Sequence, residues 1–499
     1  MNKSREWQGA ALAVAAGLLL VCLQFLARWV PPLQSPDELA HLIRVASLAQ
    51  GQALATTEPG VSTGSHFDVA LAVLARAHVP VITQRDPDVS PDDLLALKTQ
   101  RWTGRLIYGE APGSAMYLPL IYTPAALGLA VGQALDWTVL DSYHLARLTS
   151  QAFCIAAMAL AAWIWAPPLL AWALLMLPMS LFQMLSPVVD GPAHALTLLA
   201  LSMLMRLRQE PRSIWAWGTA GCLLVLVTAR LHLMPLLLLP LWWAWRRPWE
   251  GEAAVVADGG LAGSQPANTL AWAGAAGVAG TLLWTTWAAS TVVDTRVQRD
   301  ISPGKVVAHY LQHPQDLWAV FQRTFEDEHR PQFLLDSFIG NLGWLDTRLA
   351  EAAYPTLWWG LAAMTVLSLP WWAAAWRRTI VDRLVLALCA GGSGVLAFLL
   401  MLVTWSPFPA QLIEGVQGRY FIAPALVAAY ALGAWPGPTA CQGRAPVTSV
   451  GHTPQWAARA VCLAVATLAL GLFAGLSMAY LLDTLQVRYP AWARGGLFE

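Results

Sequence analysis

The sequence predicts an all-α polytopic integral membrane protein of about eleven transmembrane helices, with two larger outer-face loops carrying juxtamembrane helices. Three observations predict it. Of 499 residues, 57% are hydrophobic and 12% charged, about half the charge of an ordinary soluble domain. Apolar runs long enough to cross a bilayer, about 17 to 25 residues each, recur along the chain. The chain has 27 tryptophans, and several sit at the ends of such runs, as at Trp242, Trp243, Trp371 and Trp372, where interfacial belts form. The formal net charge is zero, so nothing suggests nucleic acid as a partner. The six cysteines lie in apolar runs or a connector and form no CxxC pair, which argues against a disulfide framework or a zinc site.

Lys3 and Arg5 precede an apolar stretch over 7–30. It is too long for a signal-peptide core and lacks a small-residue cleavage site, so it reads as an uncleaved first helix with a cytoplasmic N-terminus. Further apolar segments follow at 116–135, 148–165, 169–186, 190–206, 214–231, 233–245, 269–290, 355–376, 380–404, 418–435 and 458–482. Three basic clusters, Arg206/Arg208/Arg212, Arg246/Arg247 and Arg377/Arg378/Arg383, should all face the cytoplasm. An even number of crossings must then separate Arg5 from Arg206, yet five apolar segments intervene. The segment broken by Pro119, Pro124 and Gly128 is the one expected not to span. Residues 31–147 become a first outer region and 291–354 a second, flanking transmembrane segments at 148–290 and 355–482, with a tail at 483–499. Connectors at 248–268 and 436–457 are Gly-, Ala- and Pro-rich.

Under this parity, polar residues from distant segments gather at one face. Ser35-Pro36-Asp37-Glu38 has the signature of a helix start, with Ser35 as N-cap and Glu38 closing a capping box. The same spacing puts Asp37, His41 and Arg44 on one helix face, where a carboxylate could take a proton from a hydroxyl. Asp190 either caps the helix it opens or is a second carboxylate in the same cavity. Arg230 and His232, between two apolar runs, either snorkel or hold phosphate. Gln417-Gly418-Arg419-Tyr420 opens a span, and Gly418 would let an anionic headgroup approach the backbone. Arg147 opens another, making three arginines on a face that positive-inside bias should deplete. They suggest an anion site. His309 and His313 fall four apart with Asp316 nearby, but a second ligand pair is missing, so no metal site is assigned. Glu326-Asp327-Glu328-His329 reads as a solvated charged face, and Gly340-Asn341-Leu342-Gly343-Trp344-Leu345-Asp346-Thr347 as a tight Gly/Trp turn.

Four of these stretches, Ser35 to His41, Ser186 to Asp190, Gly340 to Thr347 and Gly415 to Phe421, occur as an ordered set. The set resembles the bacterial predicted membrane proteins of domain-of-unknown-function family 2142, from about residue 10 to 435. That family is similar to the GT-C superfamily of membrane glycosyltransferases, which carry an acidic motif in the first outer loop and use polyprenyl-linked sugar donors. The Gly/Trp stretch here departs from the expected pattern, running into Thr347-Arg348 without a proline.

The resemblance implies a GT-C-like fold in the bacterial inner membrane. It implies inverting transfer of a sugar from a polyprenyl-phosphate donor to an envelope glycan, lipid or protein at the outer face. Asp37 would be the proton acceptor with Glu38 beside it. Arg230, His232 and Arg419 would hold the donor phosphate, and Asp190 would orient the acceptor or a cation. His41, Arg44, Arg147, Gln417 and Tyr420 complete the expected binding set. A divalent cation, magnesium or manganese, is compatible with this, though the chain offers no strong ligand set for it. Two other functions fit the helix count: a transporter or flippase of lipid-linked saccharide, and a non-catalytic component of polysaccharide assembly. A transporter should show internal repeats and helices broken near mid-membrane, and no repeat is evident.

Overall fold

The computed structural model describes residues 3–83, 96–210, 212–246, 265–296, 301–369, 373–433, 435 and 455–490. Helix α1 (Lys3–Ala27) leads through a turn into α2 (Glu38–Ala49). Strands β1 (Gly64–Asp68) and β2 (Leu106–Glu110) bracket α3 (Val69–Thr83); α4 (Pro112–Ala115), a 3-10 turn (Pro119–Tyr122) and α5 (Thr123–Ala134) follow. Then come α6 (Val139–Ile164), α7 (Leu169–Leu175), α8 (Pro178–Met184), α9 (Asp190–Gln209) and α10 (Ser213–Ala229). A 3-10 segment (Leu231–Leu237) runs into α11 (Leu238–Arg246), ahead of α12 (Gln265–Thr291). Three shorter helices, α13 (Pro303–Gln312), α14 (Pro314–Glu326) and α15 (Arg330–Ile339), precede a small hairpin, β3 (Asn341–Leu342) and β4 (Thr347–Arg348). Helices α16 (Ala353–Ser368) and α17 (Ala373–Thr404), a 3-10 turn (Gly418–Phe421), α18 (Ile422–Leu432) and α19 (Gln455–Arg488) complete the order.

Among the described residues, four of the eleven expected spans are helices long and apolar enough to cross a membrane: Trp7–Ala27, Val139–Ile164, Thr379–Thr404 and Val461–Arg488. The other apolar segments form shorter, more polar or interrupted helices. The segment 169–186 is two seven-residue helices, α7 and α8, and not one continuous helix. Pro178 has no N–H to donate and forces its predecessor out of the helical region; Leu177 is extended at φ −58°, ψ 145°. The segments at 233–245 and 418–435 enter through 3-10 turns, and Pro235 sits inside the first of these. Helix α5, at 12 residues, is only about 18 Å long and packs along α6 and α2.

The small strands were not expected of an all-α chain. Gly64 and Gly109 make the β1–β2 pair feasible: a Cβ on Gly64 would lie 2.0 Å from the Gly109 carbonyl oxygen. Their signal was a five-residue run flanked by turns, too short to stand out by periodicity.

Helix α9 is buried along nearly its whole length, against α6, α10 and α18. Its C-terminal end meets the basic clusters. Arg208 Nη1 lies 3.0 Å and Arg246 Nε 3.8 Å from the same carboxylate, Asp382. Arg208 and Arg383 both stack over Trp435, at 4.7 and 4.5 Å. So one described arginine from each of the three clusters, Arg208, Arg246 and Arg383, lies at one end of the bundle. Asp190 opens the same helix at its other end, about 27 Å away along the axis. The expected connectors at 248–268 and 436–457 lie outside the described residues except for the first turns of α12 and α19; Arg247, Trp371, Trp372 and Cys441 lie outside them as well.

A second apolar layer caps the Asp190 end. Leu42, Val45, Phe67, Leu71, Leu74, Ile121 and Leu129 pack α2, the strand pair, α3 and α5 together. A third cluster joins α13 and α14 to α17 through Val306, Tyr310, Val320, Phe398, Leu402 and Ile413.

Candidate functional site

The turn between α1 and α2 carries the first carboxylate. Asp37 holds φ 62°, ψ 8° immediately before the helix, a left-handed conformation that Asp tolerates better than most residues but at some cost. Only half of the expected capping box forms. The Ser35 N–H donates to Glu38 Oε2 at 3.0 Å, while Ser35 Oγ has no partner and the helix begins three residues later, at Glu38. Trp344 holds this turn from outside: its Nε1 donates to the Leu33 carbonyl at 2.9 Å. The Gly/Trp hairpin that presents Trp344 needs Gly343 at φ +61°, where a Cβ would lie 2.3 Å from Asp346 Oδ1.

Arg419 ties three segments into one cluster. Its Nη2 donates to Asp37 Oδ2 at 2.8 Å, its Nη1 to Asp190 Oδ2 at 3.1 Å, and its Nε to Gln417 Oε1 at 2.6 Å. Arg230 donates to the other Asp190 oxygen and, at 3.4 Å, to the Tyr117 hydroxyl. Both guanidiniums lie over the Tyr420 ring, at 5.5 and 5.9 Å, and His232 Nε2 is 3.1 Å from the Tyr420 carbonyl. His41 Nδ1 is 2.8 Å from the Tyr122 hydroxyl, and its ring stacks on Tyr117. Asp37, Asp190, Arg230, His232, Gln417, Arg419, Tyr420 and His41 therefore converge, contributed by four separate stretches of chain.

Asp190 does not cap α9; no side-chain cap bond forms there, because two arginines take its oxygens. Gly418 does not open the backbone to a headgroup. Its Cβ position is filled by α15, 2.2 Å from the Leu334 oxygen, and its N–H donates to Ser337 Oγ at 2.8 Å. The glycine exists for close packing.

Three expected site residues face elsewhere. Arg147 Nη1 and Nη2 bond the carbonyls of Ala27, Val30 and Pro31 at 3.2, 2.8 and 3.2 Å. It satisfies the orphan acceptors at the end of α1, where a cation is favoured. Arg44 bonds Ser47, Ser65 and the Ala53 carbonyl, tying α2 to the strand layer. Glu38 is fully buried and accepts from the Tyr143 hydroxyl and from Ser35. So of the three arginines expected to make an anion site, only Arg230 and Arg419 share the cluster, and two carboxylates already match them. Sequence reasoning missed Tyr117, Tyr122 and Tyr143, hydroxyls in otherwise apolar runs, and His194, which lines the cluster from α9.

The cluster has a closed and an open side. The cavity among Asp190, His194, Arg230, His232, Arg419 and Tyr420 holds about 10 Å³, space for one water and no sugar ring. Asp190 and Arg419 side chains are 3% and 1% exposed, but that of Asp37 is 60% exposed. A ligand would meet the cluster at Asp37. Burial pushes the Asp37 carboxyl up, yet Arg419, His41 and Arg230 together outweigh it and hold it below its ordinary value. Burial pushes His41 down to about 4, against the pull of Asp37. At neutral pH the open edge thus presents an ionised carboxylate beside a neutral imidazole.

A larger cavity, 190 Å³, adjoins Gln417 between α14, α15, α17 and the 413–417 loop. Thr324, Arg330 and Gln417 give it polar groups, Phe333, Leu334 and Phe398 an apolar wall.

No curated protein and no solved structure matches the chain. One family model matches, over residues 19–428, a range that contains every residue of the cluster. The chain belongs to the DUF2142 family of predicted membrane proteins.

Proposed function

We propose that the protein is a GT-C-type membrane glycosyltransferase. It moves a sugar from a polyprenyl-phosphate donor to an envelope glycan, lipid or protein at the outer face of a bacterial inner membrane. The observation that carries this reading is the Arg419 bond to Asp37, which joins an exposed carboxylate to a buried guanidinium. Asp37 accepts the proton of the acceptor hydroxyl as its oxygen attacks the anomeric carbon. The bond from that carbon to the phosphate oxygen breaks, and polyprenyl phosphate leaves. Arg419, with Arg230 behind it, neutralises the charge that develops on the leaving phosphate. In this scheme the incoming phosphate competes with Asp37 for Arg419 Nη2 and frees the carboxylate as base. The cavity at Gln417 is smaller than the ~300–1,000 Å³ of typical ligand sites, so it would admit part of a substrate only. The likeness to GT-C enzymes is an analogy of family, and the chemistry rests on the site.

Asp37→Asn tests it, because Asn also tolerates the left-handed backbone and removes only the charge. Membranes holding the variant should insert it normally but transfer sugar about 10²–10⁴-fold more slowly. Full activity in a folded variant refutes a catalytic Asp37.

A transporter of lipid-linked saccharide is the second reading, favoured by the interrupted segments α7–α8, 231–246 and 418–432. Reconstituted vesicles separate the two: transfer with donor supplied on the Asp37 side alone argues for the enzyme, and movement of donor without transfer for the transporter.

A further inference from the structure

Helices α13 and α14 meet at an elbow, His313-Pro314, whose residues take no part in the arginine cluster. Three side chains with metal-ligating atoms converge there. His309 and His313, four apart on one helical turn, stack with ring centroids 4.6 Å apart. His309 Nε2 lies 3.2 Å from Asp316 Oδ2 of the first turn of α14. One ligand atom from each residue falls within 4.8 Å of the other two. We propose that His309, His313 and Asp316 form a zinc-class divalent transition-metal site, with water completing its coordination.

The donor set selects the ion class. Two imidazoles and one carboxylate suit zinc and its neighbours, whereas magnesium and calcium prefer oxygen alone and copper(I) prefers sulfur. Three protein ligands on an accessible face match an open zinc site more than a closed structural one. The elbow supplies an outer shell too. His313 Nδ1 is 3.1 Å from the His309 carbonyl; donating there, it keeps the Nε2 lone pair for a metal. His309 is held from the side by Phe408, edge-on at 5.1 Å. Beneath, Val306, Tyr310 and Val320 anchor both helices on Phe398 and Leu402 of α17. Two of the three, His313 and Asp316, are exposed, so solvent reaches the side from which an ion would enter.

The elbow also bears on the segment that delivers Arg419. From α14, Arg323 Nε donates to the Gln411 carbonyl at 2.9 Å and Thr324 Oγ1 accepts from the Ile413 N–H at 2.9 Å. Arg330, at the start of α15, donates to the Ile413 carbonyl at 2.7 Å. An ion clamped across α13 and α14 would fix the platform under residues 411–419 and stabilise the folded chain by mass action. The inference stands independently of the transferase reading.

The experiment uses untagged full-length protein in detergent, stripped with chelator and titrated with Zn2+ by calorimetry, and with Co2+ by visible absorption. One ion per chain is expected, with a cobalt spectrum of nitrogen and oxygen ligands and a rise in thermal midpoint on saturation. His313→Ala and Asp316→Asn, both at exposed positions, should bind at least about tenfold more weakly and lose the thermal shift. His329→Ala, an exposed histidine outside the trio, should bind as the parent does. Absence of saturable binding, equal binding by His313→Ala, or a thiolate band in the cobalt spectrum overturns the site.

Discussion

Arg419 Nη2 donates a 2.8 Å hydrogen bond to Asp37 Oδ2, joining residues 382 positions apart. The same guanidinium bonds Asp190, so one buried cation holds the first and last parts of the family's span together. A guanidinium presents its N–H donors in a fixed planar fork, so it can serve two carboxylates at once in a set geometry.

The two carboxylates differ in burial, and their removal should differ in consequence. Asp190→Ala leaves two buried arginines short of a partner and should cost roughly 3–5 kcal/mol. Asp37→Ala, at a 60% exposed side chain, should cost about 1 kcal/mol or less. Thermal and urea unfolding in detergent would rank them. Equal losses would mean that Asp37 is as much a staple as Asp190.

Arg147→Ala should act on α1 and not on a ligand. It strips the end of that helix of three acceptor contacts; charged hydrogen bonds contribute about 1.5–3 kcal/mol each where buried. Limited proteolysis near 28–32 should accelerate, while affinity for a polyprenyl phosphate stays as in the parent. Loss of that affinity with α1 still protected would return Arg147 to the binding site.

His41 should make stability depend on pH in a definite window. Its folded value, about 4, lies below the ordinary 6.5. The unfolded chain therefore binds the proton first as pH falls. The contribution is fully present above 6.5 and is lost as pH drops toward 4, by about 1.4 kcal/mol per unit. His41→Asn should flatten the slope of unfolding free energy between pH 6.5 and 4. An unchanged slope would assign it to other groups.

The two ends of α9 should lie on opposite sides of the membrane. In a cysteine-free background, Glu351→Cys, near the Asp37 end, and Arg212→Cys, near the Asp382 end, should each react with an impermeant maleimide from one side only, and from different sides. Labelling of both from the same side contradicts the arrangement.

Charge counting and hydropathy were enough to predict that Asp37, Asp190, Arg230 and Arg419 share one face, because a helix that crosses a bilayer must return and arginine marks the ends. The same reasoning predicted the end at which Arg208, Arg246 and Arg383 meet. It did not foresee the interruptions within three of the apolar segments. Hydropathy averages over Pro178 and Pro235, whereas a backbone without the N–H does not. It also read Gly418 as room for a ligand, when the glycine admits α15.

What the sequence determined by itself was an apolar, helical chain with its charge sorted to two ends, since period, length and composition act locally and need no partner. Tertiary structure alone decided which charges meet. Arg147, in the third turn of α6, and Arg419, in the 3-10 turn before α18, carry the same group, yet one finds backbone carbonyls and the other two carboxylates. That difference depends on which unsatisfied acceptors the packing of α1, α2 and α9 brings within about 3 Å, a distance no spacing along the chain encodes.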